Sequence, residues 1–348
     1  MDSVRVVGFG AMNLDELYQV PSVLADHETT IEGHQFMPGG SAANTIYGLA
    51  KLGIKTGFIG AVGDDEAGKL LLQDFRNVRI DTSQIKVKER EKSGLALGLT
   101  DQQGNRALYV EPGANKLLTK EDISLEHVVK AELIHLSSFV DDRQFELQKW
   151  VVSNLPQSAK ISFTPGAIYT RKGLDALTPI LAKTHLLFTN ENEIEKLANT
   201  KFKAAARYFL SRGCKIVVVT LGKGTTTKIK KQQLAFDFAN HLQILSTGGY
   251  TVSNNEPESF RFASYVADSN NEYIIESRPG EKMDTTGAGD AFATGFLYGL
   301  LKEKSLEECG RLGDIVAQFC ISKMGARQGL PTLSELTRRY QEFYNKQL

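Results

Sequence analysis

The chain has 348 residues, its 41 Lys and Arg are balanced by 41 Asp and Glu, and 41% of its residues are hydrophobic. This is the composition of an ordinary globular protein, and the neutral charge argues against nucleic acid as the main partner, because phosphate-backbone binding needs a basic surface. No apolar run reaches the roughly 18 residues that a membrane-spanning helix needs, so no membrane association is predicted.

The first residues show no signal-peptide pattern, and the three cysteines are far apart without a CxxC pair. The cysteines therefore predict a reducing compartment rather than a disulfide framework, and we expect a cytoplasmic protein. The six histidines form no HExxH motif, which argues against a zinc enzyme.

Short β-branched runs alternate along the chain with longer segments of helical period. This alternation predicts an α/β fold with a central, mostly parallel sheet and helices on both faces. Strands are predicted at 4–8, 56–59, 133–136, 160–163, 186–188 and 216–220, and helices at 42–52, 67–75, 145–153, 173–182, 191–198 and 203–211. The C-terminal part is predicted to be helical at 287–301, 305–323 and 333–345. Ser41 is the predicted N-cap of the first helix, and Gly53 follows its end.

Two regions interrupt this alternation. Residues 93–115 hold two strand-like runs around a turn-prone DQQG, which predicts a hairpin. With residues near 15–34, this hairpin is expected to form a small separate sheet. Residues 225–283 are strand-like at their edges and polar in the middle, which predicts a long surface excursion to which we assign no function.

The segment 284–292, DTTGAGDAF, carries the strongest chemical signal. Its glycines precede an apolar helix, where unpaired N–H groups and the helix dipole create an anion site. Asp290 lies in the first turn and could accept a proton beside that site, an arrangement that suits phosphoryl transfer to a hydroxyl. The alternative interpretation is a plain tight turn followed by an aspartate that complements the helix dipole.

Two further motifs have related features. Residues 38–44, PGGSAAN, lead small residues into an Ala-rich helix, and the amide of Asn44 suits a polyol hydroxyl. Residues 10–15, GAMNLD, follow the first strand and end in Asp15, which could accept from two adjacent hydroxyls. The alternative interpretation of residues 38–44 is a close helix–strand contact in which Asn44 serves the backbone. The alternative for residues 10–15 is a solvated turn, which would be preferred if that motif stood alone.

The three motifs occur in the order and with the spacing of the ribokinase-like (PfkB) family of carbohydrate and nucleoside kinases. The resemblance extends to GAVGDD at 60–65, to TNENE at 189–193, to TLGKG at 220–224 and to GAR at 325–327. It therefore spans nearly the whole chain, and DTTGAGDAF together with GGSAANT is specific for the family.

The resemblance implies one kinase domain over 1–348, with a β lid formed by segments near 13–36 and 90–115. It implies an ATP-dependent phosphotransferase acting on a primary hydroxyl of a sugar or sugar-like acceptor, with Mg²⁺ and a monovalent cation such as K⁺ as further expectations. Asp290 would be the general base, and Gly287, Ala288 and Gly289 the anion hole. The acceptor would be held by Asp15, Gly39, Gly40, Ser41 and Asn44. ATP would lie against Asn190, Thr220, Gly222, Gly224, Thr285 and Thr286, and Mg²⁺ would be organised by Glu193 and, through water, by Asn190.

Departures from the family pattern concern the acceptor. Ribokinases usually carry Lys where this chain has Ser41, and Glu near Ser137 or Ser138, so ribose itself is not the expected acceptor. The FTPG sequence at 163–166 resembles the archaeal nucleoside-kinase-like branch, which makes a nucleoside kinase the alternative. Four apolar side chains could form a slot for a base, although packing is their preferred interpretation: Phe36, Met37, Tyr109 and Phe139. The resemblance further suggests a homodimer formed through the lid.

Two other functions are alternatives to a kinase. Gly8-Phe9-Gly10 suggests a dinucleotide-binding oxidoreductase, but the third glycine of that motif is replaced by Asn13 and the expected acidic strand end is missing. A catalytically idle sensor of sugars or nucleosides is the second alternative, and the presence of Asp290 argues against it.

Overall fold

The computed structural model describes residues 4–24, 28–101, 106–222, 262–278 and 283–348, so the middle of the predicted excursion and Gly224 lie outside the described residues. The strands of these ranges are β1 Val6–Phe9, β2 Asn13–Gln19, β3 Gly33–Gly39, β4 Thr56–Gly63, β5 Ile85–Lys88, β6 Gly94–Thr100, β7 Arg106–Glu111, β8 Leu133–Ser137, β9 Lys160–Thr164, β10 Thr184–Asn190, β11 Ile216–Thr220, β12 Phe262–Asp268 and β13 Glu272–Glu276. The helices are α1 Ser41–Lys51, α2 Glu66–Asn77, α3 Leu125–Val129, α4 Asp142–Asn154, α5 Gly166–Thr170, α6 Leu174–Leu181, α7 Glu191–Ala198, α8 Phe202–Ser211, α9 Ala288–Leu301, α10 Leu306–Ile321 and α11 Leu333–Tyr344. In the part of the chain described, no helix combines the length and apolarity needed to cross a bilayer.

The main sheet has nine strands in the order β13-β12-β11-β10-β9-β8-β1-β4-β5. All neighbours pair in parallel except β12 and β13, which form an antiparallel edge. The predicted mostly parallel sheet is therefore confirmed. In such a sheet the carboxyl ends of the parallel strands meet at one edge, which is where ligands bind in open α/β folds.

Helices cover both faces of this sheet, as the sequence predicts. Every residue of β1 is buried, and successive residues contribute to different cores because strand side chains alternate between faces. Val6 belongs to a core that includes side chains of α1, α9 and α10, whereas Val7 belongs to a core with side chains of α4, α6 and α8.

A second sheet, which we call the lid, has four strands in the order β3-β2-β6-β7. The predicted hairpin is its antiparallel β6–β7 pair, and β2 joins β6 in parallel. The buried Asn115, which follows β7, hydrogen-bonds to the segment at the start of β2 and so joins two of the connections between the lid and the main sheet. Its Oδ1 accepts from the Met12 backbone N–H at 2.9 Å, and its Nδ2 donates to the Met12 carbonyl and to Asn13 Oδ1, each at 3.0 Å.

Only Gly40 separates the lid strand β3 from α1. Gly40 has φ 99° and a Cβ there would lie 2.1 Å from the Ala11 carbonyl oxygen, so the position requires glycine. The predicted N-cap at Ser41 is wrong, because Gly40 is the cap and Ser41 is the first helical residue. The Ala42 N–H of this helix start donates instead to Ser137 Oγ at 2.9 Å, from the end of β8. The prediction for Gly53 is confirmed by its φ of 81° directly after the helix.

Candidate active site

Two helices, α1 and α9, begin next to each other at the edge of the main sheet. Thr294 Oγ1 on α9 donates to the Thr45 carbonyl on α1 at 3.2 Å and to the Asp290 carbonyl at 2.9 Å. Gly48 allows this approach, because a Cβ there would lie 2.6 Å from the Thr294 side chain. The two helix beginnings named by the sequence motifs are therefore in direct contact.

The Asp290 carboxylate lies between these helix beginnings and is half-buried. Its Oδ1 accepts from Ser41 Oγ at 2.7 Å, and its Oδ2 accepts from Asn44 Nδ2 at 2.9 Å. Charge-assisted hydrogen bonds of this length fix the orientation of a carboxylate. Ser41 and Asn44, which the sequence assigned to the same site as Asp290, lie 249 and 246 positions from it in the sequence and come together with it as expected.

The loop before α9 is held by Asp284. Its Oδ1 accepts from the Thr286 N–H at 2.9 Å and from Thr286 Oγ1 at 2.8 Å, while its Oδ2 accepts from the Gly325 N–H at 2.8 Å. Gly287 caps α9 with φ 74°, and a Cβ there would lie 2.5 Å from the Ala326 Cβ. The turn is therefore fixed against residues 325–326.

The anion hole predicted at the start of α9 is open at Gly289. A Cβ on Gly289 would meet no described atom within 4 Å, in contrast to Gly287. The Ala288 N–H donates to the Thr285 carbonyl at 3.2 Å, so it is engaged within the turn. The N–H groups that follow in the first helical turn have no intrahelical acceptor. Gly289 is thus better placed than Ala288 to meet an anion.

The residues predicted to hold the acceptor lie at and beside the start of α1, on the lid side. Asp15 lies on β2 and pairs with Met37 of β3 and Ala96 of β6. A Cβ on Gly39 would lie 2.2 Å from the Asp15 carboxylate oxygens, so the missing side chain leaves the room that Asp15 occupies. Gly39 and Gly40 continue directly into Ser41 and α1, so these residues adjoin the start of α1.

Among the residues predicted to bind the nucleotide, Asn190, Thr220 and Gly222 lie at the carboxyl edge of the main sheet, and Thr285 and Thr286 lie in the loop before α9. Asn190 and Thr220 end the neighbouring strands β10 and β11 and are paired in register. Asn190 and Glu193 form a capping box on α7, in which Asn190 Oδ1 accepts from the Glu193 N–H at 2.9 Å and Glu193 Oε2 from the Asn190 N–H at 3.1 Å. Burial raises the pKa of Glu193 despite these bonds, and the Asp290 charge adds to that increase. Glu193 therefore lies within electrostatic reach of Asp290.

This arrangement of an aspartate, an open helix start and two strand-end polar residues agrees with the comparisons with known proteins. The sequence model of the pfkB family carbohydrate kinases matches residues 4–249 and 263–333. The chain belongs to this family.

Its relatives cover almost its entire length. It is 36% identical to an uncharacterized sugar kinase of Archaeoglobus fulgidus over 82% of this chain and 98% of that protein. Among solved structures, it resembles the nucleoside kinase of Methanocaldococcus jannaschii (TM-score 0.74, 22% identity, 97% and 98% of the two chains). It also resembles Arabidopsis thaliana ribokinase complexed with ribose and ATP (TM-score 0.75, 20% identity, 97% and 98%). The protein is a small-molecule kinase with the ribokinase fold.

One buried residue that contacts this candidate site was not among the residues predicted from the sequence. Arg327 is 4% exposed, and its Nε donates to Asn44 Oδ1 at 2.9 Å. The same guanidinium donates to the Gly39 carbonyl at 3.1 Å and pairs with Asp74 of α2. Burial lowers the pKa of Arg327, but the Asp74 and Asp15 carboxylates oppose this change. The only sequence signal was its place after the Gly-Ala pair of the C-terminal motif.

The apolar slot considered for a base is not formed by the four residues named for it. Met37 and Phe139 are buried, as the preferred packing interpretation has it, whereas Phe36 and Tyr109 are 50% and 64% exposed. Phe36 pairs opposite Glu16 and Tyr109 opposite Leu97, so both side chains lie on the lid face away from Asp15.

Proposed function

We propose that the protein transfers the γ-phosphoryl group of ATP to a primary hydroxyl of a sugar or sugar-like acceptor, with residues 1–348 acting as one kinase domain. The hydrogen bond of 2.7 Å from Ser41 Oγ to Asp290 Oδ1 carries this proposal. The Ser41 hydroxyl stands against the carboxylate as an acceptor hydroxyl would, beside the open helix start at Gly289.

In this proposal Asp290 Oδ1 takes the proton of the acceptor hydroxyl. The acceptor oxygen then forms a bond to the γ-phosphorus while the bond from that phosphorus to the β-phosphoryl oxygen breaks, and ADP leaves. The negative charge that builds up on the transferring group is stabilised by the Gly289 N–H and the dipole of α9. Asn44 holds the second carboxylate oxygen, so that Oδ1 remains directed at the acceptor.

The nucleotide is proposed to lie along the sheet edge at Asn190, Thr220 and Gly222. It would also contact Thr285 and Thr286 in the loop before α9. The similar Arabidopsis ribokinase was solved with ATP, which supports this assignment. Mg²⁺ prefers oxygen ligands and usually keeps several waters beside one or two carboxylates and phosphate oxygens. Glu193 fits this preference, because its capping interaction uses Oε2 and leaves Oε1 outside the box. When bound, Mg²⁺ would neutralise phosphate charge. We further propose that a monovalent cation such as K⁺ binds near the 284–286 loop.

A nucleoside acceptor is the second candidate. The chain is 24% identical to the nucleoside kinase of Methanocaldococcus jannaschii over 98% of both proteins. In addition, both serines that differ from the ribokinase pattern are engaged in hydrogen bonds. Ser137 Oγ accepts a hydrogen bond from the Ala42 N–H at the start of α1, and Ser41 Oγ donates one to Asp290. Both positions differ from the ribokinase pattern, so we expect an acceptor other than free ribose.

The acceptor is tested by measuring ADP release from ATP with ribose, fructose, adenosine, inosine and cytidine. We expect one sugar or nucleoside to stimulate release well above the others. A profile restricted to ribose would contradict the inference from Ser41 and Ser137. If no acceptor stimulates release but one of them raises the melting temperature, the protein is a sensor rather than a kinase.

The base is tested by the Asp290→Asn variant. The amide cannot accept the proton, so kcat is expected to fall at least about 100-fold, while the Kd for ATP changes little. Binding of ATP, measured by calorimetry, checks that the site is intact. Near-normal turnover in this variant would remove Asp290 from its proposed role.

We also propose that the lid forms a homodimer contact through its outer face. Phe36, Glu16, Leu97 and Tyr109 form a row across all four strands on the side away from Asp15, and the two aromatic ends are half or more exposed. Exposed apolar groups on a sheet face are typical of interfaces. Tyr109→Glu should convert a dimer to a monomer in analytical ultracentrifugation; a monomeric wild-type protein would exclude the dimer.

A further inference from the structure

Arg327 is held in a single position by contacts on every side. It lies between the rings of Tyr47 and Phe75, with its guanidinium carbon 5.1 and 5.3 Å from their centroids. Its donors meet Asn44 on α1, the Gly39 carbonyl at the end of the lid, and Asp74 on α2. A buried, planar group with this many partners has little freedom to rotate.

The contact with Asn44 decides how the Asn44 amide is oriented. An asparagine side chain has an acceptor oxygen and a donor nitrogen, and rotation by 180° exchanges them. Arg327 has only donors, so the oxygen Oδ1 must face it, at 2.9 Å. The nitrogen Nδ2 then faces Asp290 and donates to Oδ2 at 2.9 Å. In the opposite orientation, the amide oxygen would face the carboxylate and both pairs would repel.

We propose that Arg327 is a positioning residue that acts through Asn44 on Asp290. It keeps an N–H donor on Asp290 Oδ2, which stabilises the ionised carboxylate and keeps Oδ1 directed to the side of Ser41, where the acceptor hydroxyl is proposed to lie. Through the Gly39 carbonyl, the same side chain ties the base to the turn that holds the acceptor. This inference rests on the proposed role of Asp290 as general base.

A purely structural role is the competing explanation, since Arg327 also joins α2 to the rest of the site through Asp74. Loss of a buried ion-pair partner destabilises a protein whatever its function. Lower stability of an Arg327 variant would therefore support neither explanation, and the test needs a quantity that only the positioning role changes.

That quantity is the pH dependence of kcat/KM in a double-mutant cycle of Arg327→Met and Asn44→Ala. We expect Arg327→Met to lower kcat/KM about 10- to 100-fold and to move the acid limb of the profile to higher pH, because the carboxylate loses its oriented donor. In the Asn44→Ala background, the same change should cost less than about 3-fold. Equal effects in both backgrounds would show that Arg327 does not act through Asn44.

Asp74→Asn is the matched control, because it breaks the same ion pair from the other side and leaves the contact between Arg327 and Asn44. Its melting temperature should fall, but its acid limb should stay where it is in the wild type. A shift in this control equal to that of Arg327→Met would overturn the proposal.

Two further variants keep the outcome decisive. If Arg327→Met does not fold, the Arg327→Met/Asp74→Asn double variant removes both charges, and the cycle with Asn44→Ala is repeated on that background. Asp290→Asn separates the two proposals. An active Asp290→Asn enzyme refutes the base and the positioning role together. If Asp290→Asn is inactive and the effects of Arg327→Met and Asn44→Ala are additive in the enzyme that keeps Asp290, the positioning role alone is refuted.

Discussion

Two aspartates on the packed helices α9 and α10 have opposite surroundings. Asp290 is half-buried and receives hydrogen bonds from two residues of a third helix, α1, next to open space. Asp314 is 3% exposed, and its Oδ2 accepts from Gln318 Nε2 one helical turn away. Burial raises the pKa of Asp314 to about 6, although hydrogen bonds from Ser277 and Gln318 oppose this increase.

This comparison shows that a raised carboxyl pKa does not by itself identify the candidate site. A perturbed carboxyl pKa is often taken as a sign of function, but Asp314 owes its high pKa to burial. Asp290 is distinguished by the convergence of distant chain segments on its two oxygens and by an accessible helix start beside it. Substitutions near each aspartate test whether those two features, rather than the pKa, mark the candidate site.

The largest effect is expected from a methyl group placed at Gly289. Gly289→Ala should fold normally, because no described atom lies within 4 Å of the added Cβ. It should lower kcat/KM about 100-fold, since the methyl group occupies space proposed for the phosphoryl group. Gly287→Ala is the matched control two residues earlier, and it should instead lower the melting temperature, because φ is 74° and Ala326 is 2.5 Å away. A fully active Gly289→Ala enzyme would show that the open space is not used.

Asp314→Asn should change stability rather than activity. Because the pKa of Asp314 rises from 3.8 to about 6 on folding, this group destabilises the folded protein progressively between those pH values and by a constant amount above them. The asparagine variant escapes this cost and should be more stable by about 1 to 3 kcal/mol at pH 7. Chemical denaturation from pH 4 to pH 8 should show a stability difference from wild type that grows up to about pH 6. A difference that does not vary with pH would contradict the burial of a charged Asp314.

The smallest effect concerns the capping pair Asn190 and Glu193. Asn190→Ala and Thr332→Ala each remove the cap of a capping box, on α7 and α11, and each should cost about 1 kcal/mol of stability. Only Asn190→Ala should also raise the KM for MgATP, because Thr332 has no proposed role in nucleotide binding. If the two variants have the same KM, Asn190 serves only as a helix cap.

The sequence predicted the local features of this protein better than the long-range ones. The DTTGAGDAF and GGSAANT motifs located both helix beginnings, because glycines and caps act on their immediate neighbours. The hydroxyl that accepts at the start of α1 was predicted incorrectly, since the Ala42 N–H donates to Ser137 Oγ, 95 residues away in the sequence. Arg327 was missed for the same reason, because its partners on α1 and α2 are distant in sequence and no local pattern marks them.

The small sheet was predicted from its turn and alternating strands, but the slot for a base, considered as an alternative to packing, was not found. A one-residue difference in position decides which face of a strand a side chain occupies, and the register of β2, β3, β6 and β7 depends on pairing that the sequence does not state. Met37 and Phe36 are neighbours in the chain and yet lie on opposite faces of the lid.

The direct passage from β3 through Gly40 into α1 has a mechanical consequence. The chain has no spacer in which a displacement of the lid could be absorbed before it reaches Ser41 and Asn44. A tilt of the small sheet would therefore reach the two side chains that hydrogen-bond to Asp290. Under the proposed function, enclosure of the acceptor and alignment of the base would then be one movement. Lengthening that connection by a few flexible residues would uncouple the two events while leaving every side chain of the site in place.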